Sequence, residues 1–301
     1  MRVTSGMMNT QLLSNLNKNL ERMTNYQEQL SSTKKINKPS DDPVGVTYAL
    51  RYRADLSANE QYTDNVNSAL SWLDYSDSIL DQANEVMDRV RELTVQASNG
   101  TNDDSALDSI KEEMEELYGQ LVTIGNSEFN GKYVFNGQQT NMKPYTEDNA
   151  KMETTDSGQI LFEIGEGSTI AVNVTGEEVF GGLNPDGTTE EDNAFKVIQD
   201  IITQLENEDF EGLTNSLGTL DSRIDKLLVL RAEVGARTNR VELTKSRLED
   251  NDINLQTLLS KTEDADLAQV VTKMTESEYV YQAALSVGAN MISVSLVDFL
   301  R

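Results

Sequence analysis

The chain has 301 residues, with 25 Lys+Arg against 51 Asp+Glu and neither His nor Cys. Those absences remove thiolate and imidazole nucleophiles, bases and metal ligands, so only carboxylate, lysine or tyrosine chemistry or an all-oxygen cation site would remain. A formal charge of −26 argues against a nucleic-acid partner or an anionic membrane surface, and 37% hydrophobic residues with 4 Pro suit an elongated helical protein better than a globular enzyme.

The start, Met1 to Asn9, lacks the apolar core of a secretory signal peptide. No run of about 18 apolar residues occurs, so no membrane insertion is expected. The first forty residues read as one amphipathic helix. Leu13, Leu16, Leu20, Met23 and Leu30 follow a 3-4 alternation, with Gln27 in the skipped seat. The stripe is narrow and needs a partner helix. Asn37 to Pro43 breaks the helix, and Asp42-Pro43 suits an N-cap followed by the first helical position.

From Pro43 to about Asn99 the pattern is helical again. Val66, Ala69, Leu73, Leu80, Ala83, Met87, Val90 and Ala97 keep the alternation, with Ser76 and Thr94 in two seats. After a turn at 99–102, Asp103-Asp104-Ser105 opens a third helix carrying Leu107, Ile110, Met114, Leu117, Leu121 and Ile124. A short link between two helices predicts an antiparallel hairpin.

The texture changes near Asn130. Asn130-Gly131 and Asn136-Gly137 bracket a short strand, and the alternations over 160–164 and 170–174 predict a β-hairpin. The turn at 184–187 closes this insertion. Thr188-x-x-Glu191 fits a capping box, so helix is expected from Thr188, with Phe195, Ile198, Ile201, Ile202 and Leu205 on its apolar face. The next helix is the longest pattern. Leu217, Leu220, Ile224, Leu227, Val234, Val241, Leu248, Leu255 and Leu259 step by three and four, with Arg231, Thr238, Lys245 and Asp252 as polar seats that loosen packing or fix register. The last helix carries Val271, Met274, Tyr281, Leu285, Ile292 and Phe299, with Gly288 in a core seat that permits close approach.

The expected fold is therefore mainly α: an elongated, coiled-coil-like antiparallel rod with paired N- and C-terminal helices and a small β insertion. The expected domains are 1–40 with 265–301 (terminal helices), 41–130 with 188–264 (rod) and 131–187 (insertion). The terminal pair buries so little apolar area that it is expected to order only upon assembly.

Candidates for chemistry are few. Asp41-Asp42 reads better as a helix start than as a carboxylate pair, and Glu112-Glu113 with Glu115-Glu116 as a solvated face. Asn102-Asp103-Asp104 with Asp108 matches a calcium loop poorly. Lys34, Lys35 and Lys38 form a basic cluster without aromatic interleaving, which suits a solvated or subunit-contacting face.

Arg91-Glu92-Leu93-Thr94-Val95-Gln96-Ala97-Ser98-Asn99-Gly100-Thr101 resembles the signature of the bacterial flagellins and their junction relatives, and Glu128-Phe129-Asn130-Gly131-Lys132 is similar to the family's loop after the third helix. Lys35-Ile36-Asn37 followed by Asp41-Asp42 also fits. Within the family, Pro39-Ser40-Asp41-Asp42-Pro43, Tyr133-Val134-Phe135-Asn136-Gly137, Pro144-Tyr145 and the sequences of both ends look like the hook-associated protein 3 branch more than filament flagellin. The likeness covers about 1–145 and 188–301.

This resemblance implies a structural, non-enzymatic flagellar subunit without cofactor or metal. It would be exported by the flagellar type III apparatus without a cleaved signal and assembled outside the cell as a ring between hook and filament. Implied partners are hook-associated protein 1, flagellin and the filament cap, a chaperone holding the C-terminal helix before export, and further copies of itself. The implied assembly interface is the pair of terminal stripes, Leu13 to Leu30 and Val271 to Phe299, which in the family line the inner tube. Two alternatives are a filament flagellin and, with less support, a type III secretion tip-like coiled coil, which predicts an apolar hairpin that is absent.

Overall fold

The computed structural model describes residues 5–99, 103–184 and 186–299, with side chains over 6–289 of that range. Seven helices dominate the described residues: α1 (Ser5–Ser32), α2 (Pro43–Ser98), α3 (Asp104–Gly125), α4 (Gly176–Phe180), α5 (Ala194–Glu206), α6 (Phe210–Glu263) and α7 (Leu267–Phe299). Two antiparallel hairpins lie between α3 and α4: β1 (Glu128–Phe129) with β2 (Lys132–Tyr133), and β3 (Leu161–Gly165) with β4 (Ser168–Ala171). The mainly helical fold with a small β insertion is thus the observed one.

The chain divides into two compact units, residues 59–250 and residues 1–58 with 251–301. In the first, α2 and α6 run antiparallel. Asn59 donates to the Leu248 carbonyl at 3.0 Å, Arg231 meets Asp77 at 3.0 Å and also Asp81, and Arg91 meets Asp221 at 2.6 Å. The partner numbers fall on α6 as they rise on α2, which fixes both direction and register. The α2 seats fill as the alternation predicts, because Val66, Ala69, Leu73, Leu80, Ala83, Met87, Val90 and Ala97 are all buried. Ser76 and Thr94 fit among them because each hydroxyl donates to a carbonyl one turn back, Trp72 at 2.8 Å and Val90 at 2.7 Å.

On α6 the buried seam is broader than the predicted one and shifts from it in places. Leu220, Ile224, Leu227, Val234, Val241 and Leu248 are buried as expected, and Ser216, Arg223, Leu230 and Thr244 are buried as well. Arg231 and Lys245 sit one residue further round, and Arg231 uses that flank to reach Asp77 and Asp81. The α3 helix starts as the acids predict, although Asp103 rather than Ser105 caps it by accepting from Ala106 N.

Two boundaries depart from expectation. The first helix ends at Ser32, where Thr33 takes a positive φ of 60°, and does not run to forty. Helix does not resume at Thr188: Thr188 bonds back to Asp186 in a turn, and Asn193 caps α5 by accepting from Lys196 N at 3.1 Å. The capping box that does form belongs to Thr175 and Glu178, at the start of α4.

Asparagines hold the β module to the helices. Asn126 accepts from Tyr145 N at 3.0 Å and donates to its carbonyl at 2.9 Å, so one side chain imitates a strand partner. Asn173 does the same between Ile160 N and the Gly158 carbonyl. Beneath them Phe135, Tyr145, Phe180 and Phe195 pack with ring centroids 4.9–5.6 Å apart. Burial pushes the Tyr145 hydroxyl well up from the usual phenol range. The two-residue turn of the first hairpin needs left-handed backbone, which Asn130 (φ 52°) and Gly131 (φ 73°) supply. Its Phe129 sits against Trp72 and Tyr75 of α2.

Candidate assembly site on the terminal helices

The second unit is built around α1 and α7, which pack against each other. A short antiparallel crossing ties the loop after α1 to the end of α6. Lys35 N donates to the Glu263 carbonyl at 2.7 Å, and Ala265 N donates to that of Thr33 at 3.0 Å. The Glu263 side chain is buried and paired with Lys34 at 2.5 Å and with Arg53. Lys34 therefore closes the crossing and Lys38 pairs with Glu28, which occupies two members of the basic cluster. Asp42 caps α2 by accepting from Gly45 N at 2.9 Å, while Asp41 accepts from Asn37 N and Lys38 N. Both carboxylates are consumed by backbone at the helix start, as their sequence context predicts.

The helix pair uses a seam of perfect heptad spacing. On α1 the more buried positions are Leu12, Leu16, Asn19, Met23, Tyr26 and Leu30; on α7 they are Val270, Met274, Ser277, Tyr281, Ala284 and Gly288. At Gly288 a methyl group would stand 2.8 Å from Leu12 Cδ2, so the missing side chain sets the closeness of the helices.

The stripe residues consequently divide. Leu16, Met23 and Leu30, with Met274 and Tyr281, lie in the intramolecular seam. Leu13 (60% exposed), Leu20 (44%), Val271 (50%) and Leu285 (47%) stand on its flank, facing water. Ile292 and Phe299 have side chains outside the described residues. Outside the seam α7 also exposes apolar groups beyond the predicted stripe, Val280 and Val287. They are visible in the sequence only once the seam position is known.

No group of three or more potential metal-ligating acids occurs among the described residues, and none of their helices is long and apolar enough to cross a membrane. What the terminal pair offers is contact surface.

Residues 3–140 match the bacterial flagellin N-terminal helical region and residues 217–300 the bacterial flagellin C-terminal helical region. The chain belongs to the bacterial flagellin family. It is a structural component of the bacterial flagellum and not an enzyme. Flagellar hook-associated protein 3 of Escherichia coli is 25% identical over 313 residues, spanning 98% of each chain. Flagellin of Bacillus subtilis is 27% identical over 314 residues, spanning all of both. Among solved structures, a putative flagellar hook-associated protein from Vibrio parahaemolyticus superposes with a TM-score of 0.67 at 20% identity, over 74% of this chain and all of that one. The hook-associated protein-3 of Legionella pneumophila gives 0.61 at 18%, over 70% and 97%. These structures share the fold. The β3–β4 module falls in 141–216, outside both matched regions.

Proposed function

We propose that this flagellin-family chain is the junction subunit joining hook to filament, assembling as a ring through α1 and α7. The supporting observation is the exposed half of the terminal stripes. Burying Leu13, Leu20, Val271 and Leu285 against neighbouring copies would complete a core that the isolated pair leaves open, at roughly 25 cal/mol per Å² of apolar surface removed from water. Full-length likeness to hook-associated protein 3 of two organisms supports the junction reading.

In this reading hook-associated protein 1 lies on the hook side, and flagellin, or first the filament cap, on the distal side. A chaperone covers α7 before export, and the chain leaves the cell through the flagellar type III apparatus without a cleaved signal. The terminal helices form one domain that orders on assembly, the rod and the β insertion forming the other two. Full-length likeness to Bacillus subtilis flagellin supports a second reading, the filament subunit itself.

A clean deletion distinguishes them. The junction reading expects completed hooks, flagellin shed into the medium and no filaments. Normal filaments in the deletion strain would overturn it. Quantifying copies per flagellum separates the alternative, because a ring needs few subunits and a filament very many.

A further inference from the structure

The terminal pair has two long edges, and its heptad seam assigns the residues on each. Helices α1 and α7 run antiparallel, since Leu12 packs at Gly288 while the Thr33 carbonyl accepts from Ala265 N. In that arrangement the residues just after Leu12, Asn19 and Tyr26 share one edge with those just after Val270, Ser277 and Ala284. The residues just before Leu16, Met23 and Leu30 share the other with those just before Met274, Tyr281 and Gly288. The first edge is therefore Leu13, Leu20 and Gln27 with Val271, Glu278 and Leu285, and the second is Asn15, Arg22 and Gln29 with Lys273, Val280 and Val287. All but Gln29 are exposed.

The two edges differ in a complementary way. The first is apolar on both helices, and its one charge is Glu278. The second is apolar on α7 alone, through Val280 and Val287, and its charges are the cations Arg22 and Lys273. The ion pairs of this unit among the described residues are Lys34 and Arg53 with Glu263, Lys38 with Glu28, and Arg51 with Asp55. Glu278, Arg22 and Lys273 take part in none of them. Arg22 donates to Asn19 and to the Lys18 carbonyl, and Lys273 to Gln269, all of them uncharged groups.

We infer that neighbouring copies join by unlike edges: the Leu13–Leu20–Leu285 edge of one chain docks on the Val280–Val287 edge of the next. The inference rests on the reading that the terminal pair assembles beside further copies, and it adds which surface meets which. Joined this way, apolar groups meet apolar groups and the acid of one copy faces the cations of its neighbour. Every chain then offers one edge of each kind, so all copies point the same way and the contact repeats. Such a heterologous contact closes into a ring when its rotation allows. Joining like edges instead turns two copies in opposite directions and closes at two. It also sets Glu278 beside Glu278, and it leaves the Val280–Val287 edge bare.

The test places full-length variants in the deletion strain and scores filaments, secretion of the variant chain and the far-UV helicity of the purified protein. Leu13→Asp with Leu20→Asp alters the first edge alone, and Val280→Asp with Val287→Asp the second alone. Both pairs are expected to abolish filaments at unchanged helicity and secretion. Glu278→Arg, and separately Arg22→Glu with Lys273→Glu, are each expected to cut filament-bearing cells at least about tenfold, because like charges then meet across the contact. The three charge changes together are expected to restore them. Within one chain Glu278 stands on the opposite edge from Arg22 and Lys273, so that rescue acts between copies. Normal filaments from the first-edge pair would overturn the assembly reading itself. Filaments lost from the first-edge pair but normal from the second, or charge changes that are silent or fail to rescue one another, overturn the edge pairing alone.

Discussion

Arg223 is 1% exposed, and each of its three guanidinium nitrogens has a partner. Nε donates to the Asp192 carbonyl at 2.7 Å, and Nη2 pairs with the Asp192 carboxylate at 3.0 Å and with Glu190 at 3.3 Å. This places a charge in a seam seat of α6 and uses it to bind the loop before α5, whose Asn193 in turn donates to the Gly181 carbonyl. Burial works to raise the Asp192 carboxyl, but the Lys226 bond at 2.7 Å and the nearby Arg223 charge outweigh it and hold the group below its usual value. A depressed folded pKa contributes stability that is complete above the ordinary carboxylate value of about 3.9 and is lost as pH falls through the lowered one. Replacing Arg223 by Met keeps much of the volume but leaves the carbonyls and Asp192 short of a donor, which should cost about 3 kcal/mol in urea unfolding at neutral pH. Asp192→Asn should instead flatten the acid limb of the stability curve. An Asn variant whose acid limb matches the parent would rule out this group as a source of that pH dependence. Nothing in the sequence marks Arg223 for this role, because a polar residue one place from Ile224 reads as surface.

At the scale of elements, legibility depended on how wide the apolar face is. On α2 spacing places every predicted seat, even Ser76 and Thr94, whose hydroxyls are satisfied within the helix, but the buried face is wider than that stripe and takes in Trp72, Ile79, Val86 and Leu93 beside it. Where a single seam residue has an exposed apolar neighbour, as Leu12-Leu13 on α1 and Val270-Val271 on α7, spacing cannot tell seam from flank. The packing partner decides. The β3–β4 hairpin was legible from its period of two and β2 from the turn signals around it, whereas α4 is too short for any period, and an asparagine that pairs with backbone 19 residues away looks like any turn residue. The split stripe separates two classes of substitution. Leu13→Asp, Leu20→Asp and Leu285→Asp alter only the exposed flank, so helix content should be unchanged while filament-bearing cells disappear from a complemented deletion strain. Leu16→Asp or Tyr281→Asp puts a charge into the α1–α7 seam and should lower far-UV helicity as well. Loss of helicity across the whole protein in the flank set would contradict the division.

For the molecule as a whole, charge and core are distributed together. Residues 1–38 carry six Lys/Arg and two Glu, and 265–301 carry two basic and four acidic groups, so the ends are +4 and −2; against the total of −26, residues 39–264 must hold −28. The continuous buried apolar cluster runs from Val66 to Leu248, wholly inside residues 59–250. Outside it the buried apolar side chains among the described residues are only Ile36, Ala49 and Val270, and much of α1 and α7 rests on partly exposed contacts. A helix pair with so little buried area has little to set against its ordering entropy, which is of order 1–2 kcal/mol per residue for the backbone alone. Opposite charges on the two ends aid pairing but are screened by salt over about 10 Å at ordinary ionic strength. Native-state hydrogen exchange on the monomer should therefore show two levels. Amides of α2 and α6 between residues 59 and 250 should exchange only through global opening, and those of 5–32 and 267–289 through local opening that accelerates as salt is raised. Assembly would then supply the missing apolar contacts and slow the second group toward the first. Strong, salt-independent protection across α1 and α7 in the monomer would mean that the terminal helices are stable without neighbours, and the proposal that they order on assembly would have to be withdrawn.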